Sequence, residues 1–377
     1  MTKKICFLTG TRADFGKLKS LIQISSSKPE FEVTIVATGM HLLQQYGYTL
    51  NEIEKSGFQN IFSFSNHTDE ATMDLTLAKT IEGLSNHVKE NKPDLIVVHG
   101  DRVEALAGAI VGSLNNILVA HVEGGEVSGT IDELVRHAVS KMSHIHFVSN
   151  KNAFKRLVQL GELEEQIFVI GSPDVDAMLS NHLPSVADVK RHYNIPFEEY
   201  AIALFHPVTT EVKQMPLYAQ QFVDALVKSE HNYVVIFPNN DLGSAFILKA
   251  YDRLKCNKKF CIFPSIRFEF FLVLIKNAKF MIGNSSAGIR EAPYYGLPVV
   301  NIGTRQLNRA LHTDLINCDY QTQSILDAID VALTQSFKGT DLYGAGNSDQ
   351  LFLDVISQPM FWDIKKQKQF KDVAFQF

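Results

Sequence analysis

Two short segments of this chain set a histidine and a carboxylate beside glycine: His99-Gly100-Asp101-Arg102 and His121-Val122-Glu123-Gly124-Gly125-Glu126. Each follows an apolar run, residues 95–98 and 117–120, with the length and composition of a buried parallel strand. A helix over about residues 103–111 joins the two runs. Open α/β sheets bind ligands at the carboxyl ends of such strands. Asp101 and Glu123 are therefore expected on one crevice, with Asp132 and Arg136 following on the next helix. Acids gathered on one crevice can exchange protons with a bound molecule. If the two share the site, their repulsion raises one pKa and leaves an acid beside a base. Asp132 falls at a helix N-terminus, which favours its ionised form. His99 and His121 read as core histidines that orient the acids.

A second constellation is Gly283-Asn284-Ser285-Ser286-Ala287-Gly288, which follows an apolar strand and is expected to open a helix carrying Arg290 and Glu291. Small residues let a ligand approach the backbone, and a helix N-terminus favours negative charge. The loop reads either as a diphosphate seat or as an ordinary serine cap after a glycine turn. Glu291 either accepts from ribose hydroxyls or lies on a helix surface. Arg12, in Gly10-Thr11-Arg12 after the first strand, either faces the same phosphates or the solvent. His206, at a strand end before Pro207, is a phosphate ligand or a boundary histidine. The helix over 131–142 puts Ile131, Leu134, Val135, Ala138 and Met142 on its buried face and Asp132 and Arg136 one turn apart on another. Asp174-Val175-Asp176 mimics a DxD metal motif, but it sits in a segment that reads as a hinge, so no metal is assigned. The 13 histidines do not by themselves imply one.

The elements that must hold these residues alternate. Strands are expected at 4–9, 31–37, 61–64, 95–98, 117–120, 145–148 and 167–170, with helices between, among them an amphipathic one over about 70–90. Strand, helix, strand without hairpin signals means a parallel, doubly wound sheet. Gly171-Ser172-Pro173-Asp174 interrupts the pattern, and a second series follows at 200–205, 233–237, 261–263, 280–282 and 299–302. The expected fold is α/β of the GT-B class, two facing Rossmann-like domains with a cleft between them. Residues 1–171 hold the acids, 172–348 the anion loop, and the aromatic tail 349–377 packs back, helical, on the first domain.

Composition agrees with an enzyme of two ordinary domains. The 377 residues are 45% hydrophobic and 20% charged, which excludes broad disorder. A net charge of −5 argues against nucleic acid or an acidic membrane as partner. The four cysteines form no CxxC framework and read as reduced thiols. The apolar run after Lys3-Lys4 is too short for a signal peptide, and no 18-residue apolar span follows. A cytoplasmic protein is expected.

Taken together, GTRADFGKL, HGDR with EALAGA, HVEGGEVSGTIDE with RHAVSKMSH, GSPDVD, HPVTTE, GNSSAGIREAP and GTRQLNR resemble the UDP-N-acetylglucosamine 2-epimerase family, specifically its hydrolysing branch in sialic acid biosynthesis. The non-hydrolysing branch starts GTRPE and carries an EAGLR-type segment, where Ala13-Asp14 and Gly124-Gly125-Glu126 stand here. The resemblance implies that Asp101, Glu123 and Asp132 are catalytic carboxylates. It implies that Arg12, Arg102, His206, Ser285, Ser286, Glu291 and Arg305 hold UDP or its phosphates, with His206 also counted among the catalytic set. Asp14, His41 and Arg136 fall near the sugar. The implied reaction eliminates UDP to a 2-acetamidoglucal and hydrates it with inversion at C2. No cofactor is required, since neither C1 nor C2 changes oxidation state overall, and a homodimer or homotetramer is implied. Related enzymes that act on 2,4-diacetamido sugars for legionaminic acid share much of the pattern. A glycosyltransferase of the same fold, a non-catalytic nucleotide-sugar sensor and a non-hydrolysing epimerase are the other readings.

Overall fold

Runs of Ile, Val, Leu and Phe without polar alternation suit strands buried on both faces, and the computed structural model builds two parallel sheets from them. The structure describes residues 2–67, 72–128, 130–180, 183–306 and 315–372. The chain divides into two units: Met1–Glu126, Asp132–Ser180 and Leu342–Phe377 make the first, Val127–Ile131 and Asn181–Asp341 the second.

The first unit runs β1 (Lys3–Thr9), α1 (Arg12–Ser26), β2 (Phe31–Ala37), α2 (Leu50–Lys55), β3 (Ile61–Ser63), α3 (Met73–Asn91), β4 (Leu95–His99), α4 (Val103–Leu114), β5 (Leu118–Val122), α5 (Ile131–Met142), β6 (Ile145–Val148), α6 (Lys151–Gln159), β7 (Ile167–Val169) and α7 (Pro173–Met178). Its strands pair in the order β3-β2-β1-β4-β5-β6-β7, all parallel. The second unit runs α8 (Val186–His192), β8 (Ala201–Leu204), α9 (Met215–Lys228), β9 (Tyr233–Ile236), α10 (Ser244–Tyr251), β10 (Phe260–Phe263), α11 (Phe268–Lys276), β11 (Met281–Gly283), α12 (Glu291–Tyr294), β12 (Val299–Ile302), β13 (Leu315–Cys318) and α13 (Thr322–Thr334), with strand order β10-β9-β8-β11-β12-β13. Each sheet thus reverses direction once, between β1 and β4 and between β8 and β11, and such switch points are where open sheets take ligands.

Strands β2, β6 and β12 match their sequence ranges, and the other expected strands shift at their ends by one or two residues. β13 was not expected. Its four residues are only partly buried and carry Asn317, so no continuous apolar run announces it. The helix expected over 70–90 begins at Met73; residues 70 and 71 lie outside the described residues.

The Gly171–Asp174 segment lies inside the first unit, not at the division between units. Ser172 donates its backbone N–H to Tyr343 O at 2.7 Å, and its hydroxyl caps α7. Asp174 and Asp176 are committed to structure. Asp174 pairs with Lys17 of α1 at 2.9 Å. Asp176 accepts from the backbone N–H of Ser348 at 2.8 Å and of Asp349 at 3.0 Å, so it caps the N-terminus of α14 (Ser348–Ile356). That helix belongs to the first unit, and Phe352 is fully buried against Phe7 and Phe147, with ring centroids 6.3 and 4.7 Å away.

Two neutral histidines tie the strand ends that carry the site. His41 bridges Thr9 Oγ1 at 3.1 Å and Thr49 Oγ1 at 2.7 Å, and burial pushes its pKa down to about 4. His121 donates from Nε2 to Gly100 O at 2.8 Å and meets Ser140 Oγ at 3.0 Å; burial pushes it down to about 3. His144 and His146 are lowered for the same reason.

Two outcomes follow. Truncating Phe352 to Ala should cost about 3–5 kcal/mol in chemical denaturation, as for other buried aromatics; a loss within 1 kcal/mol (roughly the error of such comparisons) would mean that the tail helix is not part of the core. Second, between about pH 6.5 and 4 the unfolded chain protonates His41 and His121 while the folded chain refuses the protons, so stability present above that window is lost as pH falls through it. Asp176, raised by burial, and His99, raised by two neighbouring carboxylates, act with the opposite sign, but as two groups against five lowered histidines, His87 being the fifth. Tm should drop by several degrees from pH 7 to pH 5 in a scanning fluorimetry series, and a flat profile would contradict the neutral assignment.

Candidate active site

In the first unit the acids gather where β1, β4 and β5 end side by side. Thr11 caps α1: the Asp14 N–H donates to Thr11 Oγ1 at 3.1 Å, and Asp14 Oδ2 accepts from the Gly10 N–H at 3.1 Å, a reciprocal lock encoded by Thr-x-x-Asp. The other Asp14 oxygen meets His99 Nδ1 at 2.8 Å. His99 Nε2 meets Glu123 Oε2 at 3.0 Å, and Glu123 Oε1 accepts from Ser172 Oγ at 2.6 Å. Burial alone would lower the pKa of His99, but the Glu123 and Asp14 carboxylates override it and push the ring up to about 10. His99 is thus an imidazolium donating from both nitrogens. Glu123 sits in the left-handed region at φ +67°, unusual for a residue with a Cβ, and its N–H is anchored to Phe147 O at 2.8 Å.

Asp101 is held by Arg136, whose Nη2 contacts Asp101 Oδ2 and whose Nη1 donates to Glu126 O at 3.3 Å. The Asp101 loop is fixed from below, since Gly100 at φ +71° donates to Val122 O at 3.0 Å and accepts from His121. Each of the two strand-end acids has a cationic partner: Arg136 for Asp101, His99 for Glu123.

The face of α5 differs from expectation. Val135, Arg136, Val139 and Ser140 point inward, Ile131, Ala138 and Met142 are half-buried, and Leu134 is 66% exposed. Arg136 is buried against Asp101 on the same side of the helix as Val135, Val139 and Ser140, and Leu134 faces out. Asp132 lies half-buried in the first turn.

Three more expected residues have defined partners. Arg12 pairs with Glu52 of α2, and its Nε is buried with no hydrogen-bond partner among the described residues. Arg102 Nε donates to the buried Glu104 at 3.2 Å. His41 is the fully buried loop tie described above.

In the second unit the site is built around Asn284. Its side chain clamps the end of β8, accepting from the His206 N–H at 2.6 Å and donating to His206 O at 2.9 Å. Its carbonyl accepts from Arg305 Nη1 at 3.3 Å and from Gln306 at 2.8 Å. Gly283, at φ +136°, allows this approach; a Cβ there would lie 2.0 Å from Leu204 O. His206 Nδ1 accepts from the Asn239 N–H at 3.1 Å, which puts the ring proton on Nε2 and makes His206 a neutral donor at that nitrogen.

The loop does not run directly into the helix expected to carry Arg290 and Glu291; Arg290 precedes that helix and Glu291 opens it. Ser285 caps a single 3₁₀ turn, Ser286–Gly288, accepting from the Ala287 N–H at 3.2 Å, and α12 has four residues. The macrodipole is correspondingly small, and the Arg305 guanidinium and the His206 backbone both bond Asn284 of the loop. Glu291 and Arg305 are buried. Residues 307–309 of the GTRQLNR motif lie outside the described residues.

Sequence reasoning gave no role to Asn284, Glu104 or Ser172 and understated His99. The signal for His99 was present, since it directly precedes the Gly100-Asp101 turn. Its second carboxylate, Asp14, lies 85 residues away, and no spacing reveals such a pair.

The family model for UDP-N-acetylglucosamine 2-epimerase matches residues 23–357. A UDP-N-acetylglucosamine 2-epimerase of Neisseria meningitidis is 48% identical over 98% of this chain and 99% of its own. A hydrolysing UDP-N,N'-diacetylbacillosamine 2-epimerase of Legionella pneumophila is 33% identical over 93% of this chain and 94% of its own. The crystal structure of the Methanocaldococcus jannaschii UDP-GlcNAc 2-epimerase, solved with UDP-GlcNAc and UDP, superposes with a TM-score of 0.81 at 22% identity, covering 94% of this chain and 99% of that one, and so shares the fold. On the family match and the two relatives, the chain belongs to the UDP-N-acetylglucosamine 2-epimerase family.

Proposed function

We propose that the protein is a hydrolysing UDP-N-acetylglucosamine 2-epimerase, converting UDP-GlcNAc and water to N-acetylmannosamine and UDP for sialic acid biosynthesis. The observation that carries this reading is the acid set at the β1/β4 switch point: Asp101 on Arg136, and Glu123 on His99, on the loops of adjacent strands. Inverting C2 requires a proton to leave one face and another to arrive on the opposite face, so more than one carboxylate is needed. The C2–H is a weak acid, and its removal lags behind departure of the diphosphate. Charge developing on that leaving group is the largest electrostatic demand of the first half-reaction. The second unit supports this with Arg305, the His206 Nε2–H and the backbone of the Ser285-Ser286 turn; Arg12 and Arg102 in the first unit add positive charge. Asp132, half-buried on α5, completes the acid set.

The sugar is assigned by degree of likeness. The Neisseria relative, named for UDP-N-acetylglucosamine, is 48% identical, against 33% for the Legionella relative, named for a diacetamido sugar. N-acetylglucosamine is therefore the favoured substrate and the 2,4-diacetamido sugar the second reading.

The test is turnover with UDP-GlcNAc alone in D₂O. Free UDP and N-acetylmannosamine bearing deuterium at C2 are expected, faster than product from the 4-acetamido analogue. A product that keeps UDP would make the enzyme non-hydrolysing, and UDP release only with an added acceptor would make it a transferase. Asp101→Asn should lower turnover on the order of 10²-fold or more while UDP binding, followed by calorimetry, is largely kept. Near-normal turnover would remove Asp101 from the mechanism.

A further inference from the structure

Among the buried titratable groups of the first unit, His99 is distinguished by what lies on both sides of it. Asp14, from the first turn of α1, meets one ring nitrogen at 2.8 Å, and Glu123, from the end of β5, meets the other at 3.0 Å. The far oxygens are also engaged, Asp14 Oδ2 by the Gly10 N–H and Glu123 Oε1 by the Ser172 hydroxyl. These hydrogen bonds hold the ring and both carboxylates in one arrangement. His41 and His121 are also held at both ring nitrogens, but by hydroxyl and carbonyl oxygens, whereas His99 lies between two carboxylates.

We infer that His99 is a positioning residue that supplies Glu123 with the proton delivered to C2 in the second half-reaction, with Asp14 holding the ring. This rests on the hydrolysing-epimerase reading above. The proton on Nε2 crosses to Glu123 Oε2, leaving His99 neutral with Nδ1–H still donated to Asp14. Glu123 gives a proton to C2 of the glycal as the C1=C2 π pair becomes the new C–H bond. Water adds at the C1 cation and releases its proton to solvent, and solvent returns a proton to Nε2. One proton enters and one leaves. Other groups around the ring suit this role: His121 on the adjacent strand is neutral, and Arg136 is paired with Asp101.

The experiment separates the two halves. 2-Acetamidoglucal with UDP is supplied to the enzyme and hydration to N-acetylmannosamine is followed; in parallel, UDP and free glycal released from UDP-GlcNAc are measured. In His99→Gln, hydration should fall on the order of 10²-fold, while UDP release falls much less, so free glycal accumulates. Equal losses in both halves, or hydration at the wild-type rate, would overturn the proposal. If His99→Gln shows no cooperative melting, Asp14→Asn decides. Removing one carboxylate lowers the affinity of the ring for its proton, so the alkaline limb of the hydration rate should move to lower pH; an unmoved limb overturns the proposal. A wild-type enzyme that releases no UDP from UDP-GlcNAc refutes the functional reading itself, and this one with it. Normal wild-type turnover with proportionate losses in the variant refutes only the role of His99.

Discussion

A carboxylate taken out of water must meet a positive charge or enough hydrogen bonds to replace its hydration, and the first unit is assembled around that constraint. Glu123 has His99, Asp101 has Arg136, and Asp174 has Lys17. Glu162 shows the same rule away from the site. Burial would raise its pKa, but His146 and Lys368 bring it down to about 2, and Lys141 adds a contact at 3.1 Å. Each pair joins segments distant in sequence, so meeting the charge requirement also fixes the loops.

At the site this has a chemical consequence. Acids that move protons are useful only if they are held in position and do not cancel one another. In this fold each of the two strand-end carboxylates has a cationic partner, His99 for Glu123 and Arg136 for Asp101. The strained backbone at Glu123 is stabilised by the Phe147 carbonyl and the Ser172 hydroxyl. The second unit meets a different demand with different means. Its switch point carries an amide clamp, a histidine whose Nδ1 accepts a backbone N–H, and an arginine. Their arrangement around Asn284 is rigid because a single side chain fixes both the β8 end and the β11 loop.

Much of the fold was legible without coordinates. Apolar runs such as residues 95–98 and Tyr233–Ile236, set between turn residues, suit a buried parallel strand. Where burial failed, so did the reading: β13 is an edge strand with no fully buried residue, and its short run did not stand out. On α5 the apolar spacing pointed to Leu134 as core, yet Leu134 is exposed and Arg136 is inside. Periodicity counts apolar side chains and misses a salt bridge whose other half lies 35 residues earlier. The DxD pair, to which the sequence reading assigned no metal, has Lys17 and the backbone of α14 as partners.

The sequence by itself determined the strand order of chemistry: which residue types end β1, β4, β5, β8 and β11, and hence which acids and donors reach the two switch points. It also determined the family, since the motifs span nearly the whole chain. Tertiary structure alone decided the pairings, with Asp14 reaching His99, Ser172 reaching Glu123 and Asn239 fixing the His206 tautomer. The reason is physical. Residue type and local spacing set backbone conformation within a few residues, but charge state and proton position depend on which groups lie within about 3 Å (the hydrogen-bond range), and parallel sheets bring those groups together across separations of 24 to 85 residues.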